Sequence, residues 1–286
     1  MRVALAVAAL LLTLSSAPAQ TATPFRYLKH EILVTGWIDG RGPFTFLLDT
    51  GTTPSVVGFD VAKQLDLAYG PRSHGTDLSG RSATMYPVTL RNVVVAEAQF
   101  PRLEALAADI TSFSRGLGTH LDGILGSNFF DGRAVQIDYP CRTIAMLRRP
   151  AHGPATARFH EVNSGYIVSP DVRAGKKQLK AMFDTGNSGT IVVTREGIRD
   201  LHLQAAARTG KPTKSVSYGG AILETLGTLS DVRIGTVALG KVPVRFLPSE
   251  PDPFDVNIGN RTWERFVATF DYARGRLTLS PSRACS

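Results

Sequence analysis

At 286 residues, with 43% hydrophobic and 20% charged side chains, the chain can bury a sizeable core and is neither disordered nor fibrous in composition. Two cysteines exclude a disulfide-built scaffold. The net charge of +8 is spread without any Lys/Arg run longer than two, which speaks for a solvated basic surface and against a nucleic-acid-binding protein.

The first stretch, residues 1–20, reads MRVALAVAALLLTLSSAPAQ: one Arg, an apolar run from Val3 to Leu14, and small residues at Ala17 and Ala19. This is the pattern of a secretory signal peptide, cut near Ala19 or Gln20. The apolar run is shorter than the roughly 20 residues that span a bilayer, so no stable membrane span is expected after cleavage. The expected destination is the periplasm or the medium, an oxidising setting in which Cys141 and Cys285 can form one staple or remain two thiols.

Next come FTFLL and, from Ser55, SVVGF, two apolar runs of strand length that flank the triplet Asp49-Thr50-Gly51. The triplet is therefore expected in a turn between strands. DVAKQLDL, from Asp60, has modest helical spacing with an Asp placed to start a helix. TDLSGRSATMY, with Gly80 near its centre, is a candidate hairpin tip. QIDYPCRTIAML, from Gln136, carries turn chemistry between β-rich arms and is expected to be a hairpin.

After RRPAHGPATARFH, where Pro and Gly cluster, the same order of features recurs. AMFDTGNSGTIVV places Asp184-Thr185-Gly186 between apolar runs 135 positions after the first triplet. LDL at Leu65 returns as LHL at Leu201, GILGSNFF at Gly123 as VNIGNRTW at Val256, and the hairpin as TFDYARGRLTL at Thr269. SVSYGGAIL, with Tyr218 and Gly219, is the second candidate tip. A period this long is a duplicated domain and not a solenoid. The expected division is a first lobe over 21–152 and a second over 153–286.

One Asp-Thr-Gly is an ordinary tight turn. Two in matching contexts become chemistry if the halves pack about a pseudo-two-fold axis, as subunits of a symmetric dimer do, because Asp49 and Asp184 then meet. Two adjacent carboxyls cannot both ionise cheaply. One keeps a proton and donates to a carbonyl oxygen while the other takes a proton from water. Thr50 and Thr185 can brace the turns across the interface, and Gly51 and Gly186 let backbone N–H groups approach the carboxylates.

These residues resemble the pepsin-like aspartic proteases and, more loosely, the retropepsin-like proteins that bacteria export. The resemblance extends to Ile124-Leu125-Gly126 and to Asn257-Ile258-Gly259, where Asn stands in place of an apolar residue. It implies an all-β, bilobal fold with two homologous β-barrel-like lobes, a cleft between them, hairpin flaps over it and hydrolysis of peptide bonds by a water nucleophile. A monomer is implied, acting on a peptide or protein substrate and needing no cofactor. In the first half Thr52 follows the glycine; in the second Asn187 does, where the family prefers a hydroxyl. That departure motivates the alternative of a catalytically silent peptide- or envelope-binding protein with the same fold. The six histidines stand singly and form no metal motif, so no metal is expected.

Overall fold

A computed structural model describes residues 22–76, 81–147, 155–162, 167–217, 220–248, 253–282 and 284–285. Residues 1–20, the lobe boundary at 152 and 153, and the tip residues Gly80, Tyr218 and Gly219 lie outside the described residues.

The first half runs β1 (Thr23–Pro24), β2 (Arg26–Leu28), β3 (Glu31–Ile38), β4 (Arg41–Leu48), β5 (Ser55–Gly58), helix α1 (Phe59–Gln64), β6 (Ser73–Thr76) and β7 (Ser82–Val95). It continues with β8 (Ala98–Ala108), α2 (Thr111–Leu117), β9 (Gly123–Leu125), α3 (Ser127–Phe130), β10 (Ala134–Asp138) and β11 (Thr143–Leu147). The second half runs β12 (Ala157–Arg158), β13 (His160–Glu161), β14 (Ile167–Ala174), β15 (Lys177–Phe183), β16 (Ile191–Val193), α4 (Arg195–Asp200), α5 (Gln204–Thr209) and β17 (Pro212–Ser217). It ends with β18 (Gly220–Ile234), β19 (Val237–Phe246), β20 (Val256–Ile258), α6 (Asn260–Trp263), β21 (Phe266–Asp271) and β22 (Arg276–Pro281).

Each half builds an eight-stranded sheet of the same order: β2-β3-β4-β9-β5-β8-β7-β6 in the first and β13-β14-β15-β20-β16-β19-β18-β17 in the second. An additional pairing, β3 with β7 and β14 with β18, curls each sheet toward a barrel. The short apolar runs SVVG and IVV become β5 and β16, which are buried throughout because strands flank them on both sides. The two expected hairpins form as β10–β11 and β21–β22. They join edge to edge through β10 and β21 in a six-stranded base sheet, β1-β11-β10-β21-β22-β12, built from both halves. The disulfide between Cys141 and Cys285 closes beside this sheet.

Above the base sheet a chain of rings links the two lobes. Phe129 meets Phe130 at 5.2 Å, Phe130 stacks on Tyr272 at 5.4 Å, Tyr272 meets Phe159 at 5.5 Å, and Phe159 leads through Phe183 to Trp263. Each such pair contributes about 0.5–1.5 kcal/mol beyond the area it buries, so the lobe junction is core and not a hinge of polar contacts.

One local expectation is corrected. Asp60 does not cap α1; Gly58 occupies the N-cap position and Asp60 sits in the first turn, where its carboxylate accepts from the Val61 N–H. In the second half Thr194 caps α4, accepting from the Gly197 N–H at 3.3 Å.

Candidate active site

Both triplets leave the buried C-terminal end of a strand, β4 for Asp49 and β15 for Asp184. The neighbouring strand receives the backbone at once: the Asp49 N–H donates to the Leu125 carbonyl and the Asp184 N–H to that of Ile258, each at 2.9 Å. One residue later the two turns lock together. The Thr50 hydroxyl donates to the Phe183 carbonyl and accepts the Thr185 N–H, while the Thr185 hydroxyl donates to the Leu48 carbonyl and accepts the Thr50 N–H. These four bonds measure 2.9–3.0 Å and are fully buried, so water cannot compete for them.

The glycines do two things. Each N–H donates to the carboxylate of its own turn, Gly51 to Asp49 and Gly186 to Asp184, at 2.8 Å. Each absent Cβ makes room for the opposite carboxylate: a methyl on Gly51 would lie 2.5 Å from the Asp184 carboxyl carbon, and one on Gly186 would overlap the Asp49 carboxyl. The pair is therefore in contact across the lobe interface, and both members are buried at 7% exposure.

Burial pushes the Asp49 carboxyl up from 3.8 to about 8, and the neighbouring Asp184 charge adds to the rise. Asp184 is raised too, again by burial, but the Asn257 amide and the Arg245 cation pull against the rise. The pair titrates as a unit, and its surroundings favour the proton on Asp49 and the charge on Asp184.

Support for the carboxylates differs between lobes. In the first, the Thr52 hydroxyl donates to Asp49 Oδ2 at 2.7 Å. In the second, Asn187 does not reach Asp184; its amide nitrogen donates to Asn257 Oδ1 at 2.8 Å, and the Asn257 amide nitrogen donates to Asp184 Oδ2 at 2.6 Å. The donor expected after the second glycine is thus supplied from β20. Asn257, a departure from the apolar pattern in the sequence, is the missing hydroxyl's substitute.

The dyad floors a cleft of about 570 Å³. Val56, Met85, Leu106, Phe113 and Leu117 line its first-lobe side, and its second-lobe side mixes Glu224, Arg245, Ser215 and Lys214 with the apolar Met182, Val192, Ile222, Leu247 and Phe254. The strands on either side of the two candidate tips pair with each other, β6 with β7 and β17 with β18, and residues of both pairs line the cleft. The second reaches across to the first lobe, where the Ser112 hydroxyl donates to the Ser217 carbonyl and Val216 packs on Gly116.

A third carboxyl also opens into the cleft. Glu31, at the start of β3, accepts from the Asn260 amide nitrogen at 3.2 Å. Burial first, and then the charges of Asp49 and Asp184, hold its carboxyl well above the usual range. Nothing local in the sequence marks Glu31, because only tertiary packing brings β3 over the dyad. Among the described residues no group of three or more His, Cys, Asp or Glu side chains is placed to hold a metal ion, and no helix is long and apolar enough to cross a membrane.

A protein-family model described as "Aspartyl protease" matches residues 34–129 and 170–262, one segment in each half. Among solved structures, the basic 7S globulin from soybean superposes with a TM-score of 0.52 at 13% identity, over 91% of this chain and 94% of the globulin chain. That likeness is one of fold. A search of curated proteins finds no significant match.

Proposed function

The chain belongs to the aspartyl protease family, and we propose that it is an aspartic endopeptidase in which Asp49 and Asp184 activate a water molecule against a peptide carbonyl. The observation that carries this reading is the contact of two buried carboxyls whose surroundings differ enough to separate their roles.

In the forward step Asp184, as carboxylate, removes a proton from water. The water oxygen bonds to the carbonyl carbon, and Asp49 donates its proton to the carbonyl oxygen. The resulting gem-diol collapses as the C–N bond breaks; Asp184 returns its proton to the departing nitrogen, and a diol proton restores Asp49. Protons and electrons balance within the dyad, and no covalent intermediate forms. The two hairpins would close over the bound chain and exclude bulk water, which strengthens each electrostatic interaction inside. The apolar first-lobe wall favours an apolar substrate side chain on that side of the cut.

The silent-binder alternative drew its motive from Asn187, and a donor to Asp184 is supplied by Asn257 instead. We further propose an exported monomer, in keeping with the signal-like residues 1–20 and with a disulfide of the kind that persists outside reducing cytosol. N-terminal sequencing of the secreted or periplasmic protein checks export; an intact Met1 in the recovered protein would refute it.

The decisive experiment digests a diverse peptide mixture with the mature protein from acidic to neutral pH, with and without a transition-state-mimicking inhibitor of aspartic proteases. Inhibitor-sensitive cleavage that vanishes in both Asp49→Asn and Asp184→Asn is expected. Inhibitor-resistant cleavage, or cleavage retained in either variant, would overturn the assignment.

A further inference from the structure

The internal repeat allows each side chain around Asp49 to be compared with its counterpart around Asp184. Val56 on β5 pairs with Ile124 on one side and Leu106 on the other; Val192 on β16 pairs with Asn257 and Arg245 in the same manner. Pro87 stands opposite Leu106, and Leu226 opposite Arg245. Two residues before these on their strands are Met85 and Glu224. Thr52 and Asn187 each follow their Asp by three. Four positions that read Thr52, Ile124, Leu106 and Met85 in the first lobe therefore read Asn187, Asn257, Arg245 and Glu224 in the second.

The four second-lobe residues are bonded in series. Arg245 Nη1 donates to Glu224 Oε2 at 3.1 Å, and Arg245 Nη2 donates to Asn187 Oδ1. Asn187 Nδ2 donates to Asn257 Oδ1 at 2.8 Å, and Asn257 Nδ2 to Asp184 Oδ2 at 2.6 Å. Both amides have a fixed orientation, because Asn187 Oδ1 also accepts the Gly189 N–H, and turning the amide over would set its NH2 group against two donors. From Arg245 onward every bond donates toward Asp184. We propose that Glu224, Arg245, Asn187 and Asn257 form a positioning relay that keeps the dyad's charge on Asp184 and its proton on Asp49.

Stability alone does not account for such a group. A buried ion pair costs desolvation on both partners and is commonly no better than well-packed apolar residues, and the first lobe shows Leu106 and Met85 filling the same positions. What the relay adds is direction. Asp49 receives one hydroxyl and one backbone N–H, whereas Asp184 receives one backbone N–H and an amide aligned by a cation. Asp49, Glu31 and Glu224 face this region, the last two with carboxyls held above their ordinary value by burial; Tyr272 is buried nearby, and Lys29 and Lys214 line the cleft. Arg245 is the cation tied to Asp184 by a hydrogen-bonded path. It offsets part of what burial imposes on Asp184. A dyad with identical supports could pass its proton either way, while this one starts each turnover from the same arrangement.

The relay rests on the protease reading only for its kinetic consequence, so its test includes a readout that needs no turnover. Carboxyl carbons of 13C-labelled aspartates are titrated by NMR, with the dyad assigned against Asp49→Asn and Asp184→Asn, and kcat/KM is followed over the same pH range. Arg245→Met should move the lower titration step, and the acid limb of kcat/KM, up by about one pH unit, and Glu224→Gln should move both down. Arg245→Lys, which keeps the charge, should hold the step close to its original pH. Asn257→Ile should raise the step and cut kcat at least tenfold, and adding Asn187→Thr, which rebuilds the first-lobe hydroxyl, should recover part of the loss. Shifts in one direction for both Arg245→Met and Glu224→Gln, or none for either, would refute the relay. Should Arg245→Met fail to fold, Glu224→Gln and Arg245→Lys decide: a downward step in the first with none in the second upholds the relay, and any other pairing refutes it. Expected titration shifts without any peptide cleavage would leave the relay standing and remove the protease.

Discussion

Replacing Asp49 by Asn should make the protein more stable at neutral and alkaline pH while abolishing hydrolysis. The folded chain holds the Asp49 proton up to about pH 8, whereas the side chain's ordinary value is 3.8. Between those values the unfolded state binds fewer protons than the native state, so this group's contribution is fully present below 3.8 and is lost as pH rises toward 8. A rise across roughly four pH units, at about 1.4 kcal/mol for each, sets a ceiling near 6 kcal/mol, and sharing of the titration with Asp184 in a cleft open to water reduces this to about 2–3 kcal/mol. Asn mimics the protonated acid: its oxygen can keep the Gly51 N–H, its amide can face Asp184, and the Thr52 hydroxyl can turn to accept. At about 2 °C per kcal/mol for a chain of this size, Asp49→Asn should melt roughly 4–6 °C above the parent at pH 8 and close to it at pH 4. Scanning calorimetry at the two pH values reads both numbers. A variant no more stable than the parent at pH 8, or equally stabilised at both pH values, would refute a buried proton on Asp49.

Thr185→Ala removes a hydroxyl that satisfies the Leu48 carbonyl and the Thr50 N–H, both buried, and should lower stability by about 2–4 kcal/mol in urea unfolding. Adding Thr50→Ala should cost less than a second equal loss, since the two residues share one bonded ring; strict additivity would argue against that ring. Cys141→Ser combined with Cys285→Ser removes a cross-link between residues 144 positions apart and should cost about 2–5 kcal/mol, read as a lower urea midpoint with cleft chemistry intact.

What the sequence revealed was local or repeated. The apolar runs around each triplet, the two β10–β11-type hairpins and the order of the blocks all survive as strands because each is a short segment whose pattern and turn residues agree. The threonine lock was legible as well, since symmetry requires only that equivalent residues meet. Asn187 was read against the chain beside it, yet its partners Asn257 and Arg245 come from β20 and β19, which flank β16 only after the sheet has formed. The signal was present as mismatches in the repeat, Ile124 against Asn257 and Leu106 against Arg245, visible only when the two lobes' ladders are aligned. Glu31 carried no signal of its own. The short helices α2, α3, α5 and α6 span four to seven residues each, too few for apolar periodicity to emerge.

The base sheet also governs when the active site can exist. Its centre joins β10 to β21, and its far side needs β22 to bridge β21 and β12. No part of the first 260 residues contains that second hairpin, so a nascent chain can curl its first lobe and present Asp49 with the threonine bonds alone, and without the base sheet, to hold Asp184 beside it. Strand pairings this distant in sequence close late and slowly. The clamp that the base sheet puts on the dyad would then form late, after both lobes have curled.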